Sequence, residues 1–211
     1  GTPTSLEDMH KLGSKEESIP YALGGRNLLT GTSGPFVMGY GIPNTTWDET
    51  NQVSEISLPV TAKHSEVLPQ GTDFPYQYTW MPGVTYTQSI YISTDAPLTG
   101  TPISFTWFTD KYGHDTRGLD NLVKVSTNVY RATSTYTWPS SNSPANGRYR
   151  NADLSNLTEA FDFTKGTFLK FYKPKLELGT TATPWTPAPE DEADGSNVTN
   201  NMGAEAYAES T

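Results

Sequence analysis

Aromatic rings and groups able to make paired hydrogen bonds fall together at two places in the chain. In Asp73-Phe74-Pro75-Tyr76-Gln77-Tyr78-Thr79-Trp80 four aromatics crowd a segment ahead of a strand. From Trp107 to Arg117, Phe108 and Tyr112 accompany Asp110, His114, Asp115 and Arg117 on a loop that follows a strand. Tyr136 and Trp138, with Arg148 and Tyr149, approach from the next loop. A flat ring gives contact area with little entropy lost on ordering. The polar groups orient a ligand and discriminate, because an unmet buried hydroxyl costs ~1–3 kcal/mol. Together they can stack on one face of a ligand and hydrogen-bond to its polar edge. The candidate binding residues are Tyr76, Tyr78, Trp80, Phe108, Asp110, Tyr112, His114, Asp115, Arg117, Trp138, Arg148 and Tyr149.

Each of these has a plainer reading. An aromatic inside a strand belongs to the core, which is the expectation for Phe105 and Trp107. Trp80, just before a Pro-Gly turn, fits core and platform equally well. His114 as a lone loop histidine is a solvated surface residue. Asp110, Asp115 and Arg117 can pair with one another across the loop, a surface ion pair worth ~0–1 kcal/mol. Trp138-Pro139 can simply close a strand.

Catalytic signatures are missing. The chain has no Gly-x-Ser-x-Gly elbow, no His-Glu-x-x-His and no Gly-x-x-x-x-Gly-Lys. His10, His64 and His114 are far apart in sequence. A glycosidase needs two carboxylates ~5–9.5 Å apart, and Asp110 with Asp153 or Glu159 with Asp162 keep that rival open. Release of reducing sugar from a polysaccharide would favour such a hydrolase or lyase. A ligand-free structural spacer, the third alternative, would not bind cells at all.

The 211 residues are 34% hydrophobic, 12% aromatic and 18% charged, with no cysteine and about thirty threonines. Little Ala, Leu, Glu and Lys argues against a helical architecture, and the aromatic content argues against a disordered chain. An all-β domain is the reading that remains. The net charge of −9 opposes nucleic acid, whose binding draws on clustered Lys and Arg, and opposes an anionic membrane surface. No stretch approaches the roughly 18 apolar residues of a membrane span. Without cysteine there is no disulfide framework, thiolate zinc site or Cys nucleophile. The start at Gly1 reads as an excised piece of a longer polypeptide. Sequons at Asn44, Asn156 and Asn197 are what chance gives in a chain rich in Asn and Thr.

The elements that must position the candidate residues are short strands between Gly- and Pro-rich turns, the pattern of a sandwich or barrel. Arg26–Thr30 reads as a first strand and residues 53–60 as another. Met81-Pro82-Gly83 is a turn feeding a strand over 84–92, with Val84, Tyr86, Ile90 and Ile92 on one face and Thr85, Thr87, Ser89 and Tyr91 on the other. Further strands are expected at 103–108, 122–125, 131–138 and 167–179. Residues 1–25 form an N-terminal linker in which Leu6, Met9 and Leu12 permit a short helix. From Pro187 the chain is acidic with no basic residue and reads as a linker, fully so over 192–211.

Three segments belong together: Asn27-Leu28-Leu29, Gly83-Val84-Thr85-Tyr86-Thr87, and the closing run from Lys173 to Asp191 with its Lys-Pro-Lys-Leu-Glu-Leu-Gly and Trp185 among prolines. Their order and spacing resemble the jelly-roll carbohydrate-binding modules in tail and baseplate proteins of phages of Gram-positive bacteria. Within that group the chain is similar to an insertion module of an enlarged distal tail protein from a lactic-acid-bacterium phage. The resemblance covers about residues 26–191. It implies a two-sheet jelly-roll β-sandwich at the virion tail tip, joined to the rest of its tail protein. Its implied role is host adhesion by binding a cell-surface saccharide without catalysis. Trp185 is expected to plug the chain's exit rather than bind ligand. Many related modules hold a structural calcium near their first and last strands. Here Asn27 and Glu177 could offer oxygens, but calcium needs six to eight and no Asp clusters there, so no cofactor is expected.

Overall fold

The computed structural model describes residues 25–32, 35–39, 45–61, 66–69, 78–105, 107–108, 115–116, 118–140, 145–147 and 159–193. Twelve strands appear among them: β1 (Phe36–Gly39), β2 (Thr45–Asp48), β3 (Val53–Ile56), β4 (Glu66–Pro69), β5 (Tyr78–Trp80), β6 (Thr85–Thr94), β7 (Trp107–Phe108), β8 (Asp115–Thr116), β9 (Leu119–Ser126), β10 (Val129–Thr137), β11 (Ala145–Gly147) and β12 (Leu169–Leu178). One short helix, α1 (Pro189–Ala193), follows. None of the described helices is long and apolar enough to cross a membrane. The expected N-terminal helix around Leu6, Met9 and Leu12 lies outside the described residues, as does the acidic end after Ala193.

The fold is all-β. Six strands form one antiparallel sheet in the order β2-β3-β12-β6-β10-β9. β1-β4, β5-β11 and β7-β8 pair separately. Among the described residues the second layer is therefore built from short ribbons and irregular segments rather than from a second continuous sheet.

Alternation on the central strands sorts the chain into two faces. On β6, Tyr86, Ile90 and Ile92 point inward and are fully buried. β6 begins after a tight turn in which the Val84 amide donates to the Met81 carbonyl. Pro82 presets that turn, and Gly83 at φ 77° takes its left-handed corner. β9 and β10 meet through Thr127-Asn128, with Asn128 at φ 57°. Ile90, Ile92, Ala132, Leu169 and Phe171 of the sheet pack against Phe36, Ile103, Phe105, Phe161 and Phe163 from the other layer. Toward the opposite end Tyr86, Trp107, Trp138, Leu29 and Leu176 form a second cluster. Phe105 and Trp107 are core, as their strand-like pattern predicts, although among the described residues of the expected 103–108 strand Trp107–Phe108 is strand and 103–105 is not.

β12 carries the one irregularity that matters most. Tyr172 faces Tyr91 and Lys175 faces Ser89, so β12 spends one residue more than β6 between those pairs. Lys173 at φ 52° and Pro174, which has no amide to give, form the bulge. Before it Leu169 and Phe171 face the core; after it Leu176 does, while Lys175 and Glu177 turn to the outer face. Without the extra residue both charges would enter the apolar core.

Lys175 and Glu177 are nevertheless 0% exposed, because the chain after β12 folds back over them. Their charged atoms are 3.8 Å apart, bridged by the Thr183 hydroxyl, which accepts from Lys175 Nζ at 2.8 Å and donates to Glu177 Oε1 at 2.6 Å. The Thr183 amide donates to Glu177 Oε2, and the Pro184 carbonyl accepts from Lys175. The Gly25 amide donates to the same hydroxyl, and a Cβ at Gly25 would lie 2.3 Å from Glu177 Oε1.

Arg26–Thr30 is an irregular segment and not the strand expected from its composition. The Leu28 amide donates to the Leu176 carbonyl, but buried Asn27 takes over the rest of the ladder. Its Oδ1 accepts from the amides of Leu29 and Leu176, and its Nδ2 donates to the carbonyls of Pro174 and Thr186. The Gly31 amide donates to Asp191, and Arg26 pairs with Glu190. Residues 187–191 are thus packed against the body, with Ala188 fully buried, and do not behave as the linker their acidity suggests.

Burial pushes the Glu177 carboxyl up and the Lys175 ammonium down. Lys175→Met removes the cation that opposes the rise at Glu177, leaving a buried carboxylate alone, at a cost of about 3–5 kcal/mol near neutral pH. A carboxyl whose folded pKa is raised contributes stability that is present below its ordinary 4.5 and lost as pH rises through the folded value. The deficit of Lys175→Met relative to the parent should therefore shrink as pH falls from neutral toward 4.5, as measured by paired thermal melts.

Candidate outer-face aromatic platform

The outer face of the sheet is mostly hydroxyl. Thr85 and Thr137 are 2.7 Å apart through their Oγ1 atoms, and Thr87 and Thr135 are 2.9 Å apart. One row breaks that pattern. Tyr172 on β12, Tyr91 on β6, Arg131 on β10 and Val123 on β9 stand in register as direct cross-strand neighbours. Three strand spacings of ~4.8 Å make this row about 14 Å long.

The two tyrosine rings stack with centroids 5.3 Å apart and planes 14° from parallel, and both side chains are half-buried. The Arg131 guanidinium sits 5.3 Å from the Tyr91 centroid, a cation–π contact worth about 0.5–1 kcal/mol at an exposed site. Arg131 is itself held by the closing segment, donating to the carbonyls of Thr183 at 2.5 Å and Ala182 at 3.3 Å and to Ser89 Oγ at 3.3 Å. In the adjoining row Lys170 pairs with Glu55 at 3.4 Å beside Ser93. At roughly 40% exposure this ion pair adds little stability. Rigid stacked rings bordered by hydroxyls and a charge pair can offer a stacking face and hydrogen-bonding groups to one ligand.

Of the residues singled out from sequence, Trp138 is corrected outright. It is 1% exposed, directly follows β10, and packs edge-on against Tyr136. Its amide donates to Val84 and its carbonyl accepts from Gly83, so it closes the strand and fills the second core cluster. Tyr78 and Trp80 lie on β5, paired with Gly147 and Ala145 of β11. Phe108 and Asp115 face each other across β7-β8. Tyr76, Asp110, Tyr112, His114, Arg117, Arg148 and Tyr149 lie outside the described residues.

The platform itself was missed. Its signal is present in sequence, since Tyr91 alternates with Thr85, Thr87 and Ser89 on a polar face. The partner ring was not evident, because nothing local assigns Tyr172 to the same face as Tyr91.

The residues near the first and last segments do not fit calcium. Asn27 Oδ1 is occupied by two amides, and the Glu177 carboxylate is engaged by Thr183 with the Lys175 ammonium beside it. Among the described residues no group of three or more His, Asp or Glu stands close enough to hold a metal. Trp185 donates its indole N–H to the Pro174 carbonyl, in keeping with a plug at the chain's exit.

No family model and no curated protein matches the chain. Among solved structures it is similar to the tripod (BppUct-A-L) from the baseplate of bacteriophage Tuc2009, with 18% identity over 80% of this chain and 60% of that one and a TM-score of 0.45. It is also similar to the N-terminal CBM22-1–GH10 modules of Clostridium thermocellum endo-1,4-beta-D-xylanase 10B complexed with xylohexaose, with 11% identity over 78% and 30% and a TM-score of 0.34. The chain spans less than two thirds of either solved chain. Likenesses of this size carry no argument about what the chain binds.

Burial, and then the neighbouring Tyr91 phenol, raise the Tyr172 pKa above its ordinary 10.0. A group raised on folding contributes stability that is present below its unfolded value and lost as pH rises through the folded one. Tyr172→Phe keeps the stack and removes the ionisable group. Its melting temperature is expected to fall less steeply than the parent's between about pH 9 and pH 12.

Proposed function

We propose that this chain is a non-catalytic carbohydrate-binding module of a phage tail or baseplate protein, adhering to host cell-wall polysaccharide at the virion tail tip. The observation that carries the reading is the Tyr91–Tyr172 stack, left half-open on a polar sheet face and braced by Arg131. Aromatic area in such a setting, beside Lys170, Glu55 and Ser93, has the two properties a sugar needs: ring faces for C–H groups and fixed polar groups for hydroxyls. The resemblance of the closing segment to tail-module sequences supports the same reading. The backbones carrying Tyr78, Trp80, Phe108 and Asp115 lie on short ribbons that pair separately from the main sheet, and these residues, with Tyr112, are the second set of candidates.

A shallow face of this kind suits a millimolar site, about −4 kcal/mol, and several copies on one tail raise avidity by ~10²–10⁴ without new contacts. The acid-base alternative has less to work with on this face. Glu177 is sealed from solvent and Glu55 is paired with Lys170.

Each ring is worth ~0.5–1.5 kcal/mol beyond its area. Tyr91→Ala with Tyr172→Ala should lower retention of the labelled chain on host cells and wall polysaccharide about tenfold. Tyr91→Ala forfeits both the stack and the cation–π contact, so the double variant should lose roughly 1–3 kcal/mol of stability and still be folded in the assay. Trp80→Ala with Tyr112→Ala tests the loop surface in the same assay. Undiminished retention in both pairs of variants would refute the sugar-binding assignment.

A further inference from the structure

β9 is the last strand of the six-stranded sheet, and among the described residues nothing pairs with its free edge. Proteins usually blunt such edges with charge or proline, because unpaired amides and carbonyls invite another strand. This edge carries Asp120 and Lys124 on its inner side and exposed aliphatics on its outer side. Leu119, Val123 and Val125 are 81%, 46% and 49% exposed. An open cleft of about 310 Å³ runs beside it, bordered by Leu98, Ile103 and Leu122 and by the polar Asp120 and Asn121.

A strand that pairs antiparallel with itself across a two-fold axis must complement its own reverse. The segment Leu119-Asp120-Asn121-Leu122-Val123-Lys124-Val125 does so about Leu122. Asp120 then faces Lys124 of the second copy, and Lys124 faces its Asp120. Asn121 faces Val123, and aliphatic residues close both ends. Opposite charges directly across a strand pair stabilise it, and like charges there oppose it. We infer that β9 is a homodimer seam, in which the sheets of two copies of this chain join edge to edge with the cleft taking up Leu122 of the second copy. The extra residue at Val125, where β9 slips against β10, ends the regular seam and limits its length.

The axis of such a pairing runs perpendicular to the sheet, so both outer faces look the same way. Six strand spacings of ~4.8 Å separate the two tyrosine stacks, roughly 30 Å. The seam is small beside standard interfaces of ~1,200–2,000 Å², so the dimer is weak, with Kd on the order of 10–100 µM. The inference does not depend on what the outer face binds.

Sedimentation equilibrium of the full chain over a hundredfold dilution range tests it. The parent should pass from dimer to monomer on dilution. Lys124→Asp, at an exposed position, should keep the parent's melting temperature and weaken association at least about tenfold by setting like charges across the seam. Lys124→Asp combined with Asp120→Lys should restore the parent's association. A parent monomeric throughout, a Lys124→Asp variant that dimerises like the parent, or a folded double variant that stays monomeric would each overturn the seam. Should Asp120→Lys prevent folding, the parent and Lys124→Asp arms decide the matter by themselves.

Discussion

Lys175 and Glu177 have been taken out of water together, and the stretches at Thr183-Pro184 and Gly25 close over them to make that tolerable. Removing two charges from solvent costs several kcal/mol each, and their attraction offsets it only where the remaining donors and acceptors are satisfied. Here the partners come from far along the chain. Thr183 and Pro184 descend from the closing segment, and Gly25 arrives from the start of the body. The pair therefore ties the Thr183-Pro184 stretch, and through the Thr183 hydroxyl Gly25, to β12 more specifically than apolar contact alone would.

The same closing segment sets up the outer face. Carbonyls of Ala182 and Thr183 hold the Arg131 guanidinium, and that guanidinium lies over Tyr91, which stacks on Tyr172. One stretch of backbone thus caps the buried pair and orients the aromatic row. The rings are positioned by sheet register and by a fixed cation rather than by a loop, so little rotamer entropy is left to lose when they meet a ligand.

The bulge at Lys173-Pro174 links the two arrangements. It lets one strand serve two cores of different composition, with Leu169 and Phe171 inward on one side and Leu176 inward on the other. It also ends the regular lateral pairing. β3 accompanies β12 only over Leu169–Phe171, and beyond it Asn27 meets the β12 backbone at Pro174 and Leu176 and ties it to Leu29 and Thr186. A side chain of fixed shape replaces a strand, which is why the Asn27-Leu28-Leu29 segment and the closing run form one structural unit.

Composition and two-residue alternation were enough to read an all-β chain, to place β6, β9, β10 and β12, and to assign Tyr86, Ile90, Ile92, Phe105 and Trp107 to the core, because burial on a pleated strand follows directly from local pattern. The same alternation set Tyr91 on the polar face with Thr87 and Ser89. It could not say that Tyr172 stands beside it, that Trp138 is sealed inside, or that Lys175 and Glu177 are buried. Those depend on inter-strand register, on one extra residue at a bulge, and on a distant segment folding back over the sheet. Local pattern sets which way a side chain points relative to its neighbours in the chain; what covers it or meets it is decided only when strands far apart in sequence come into register.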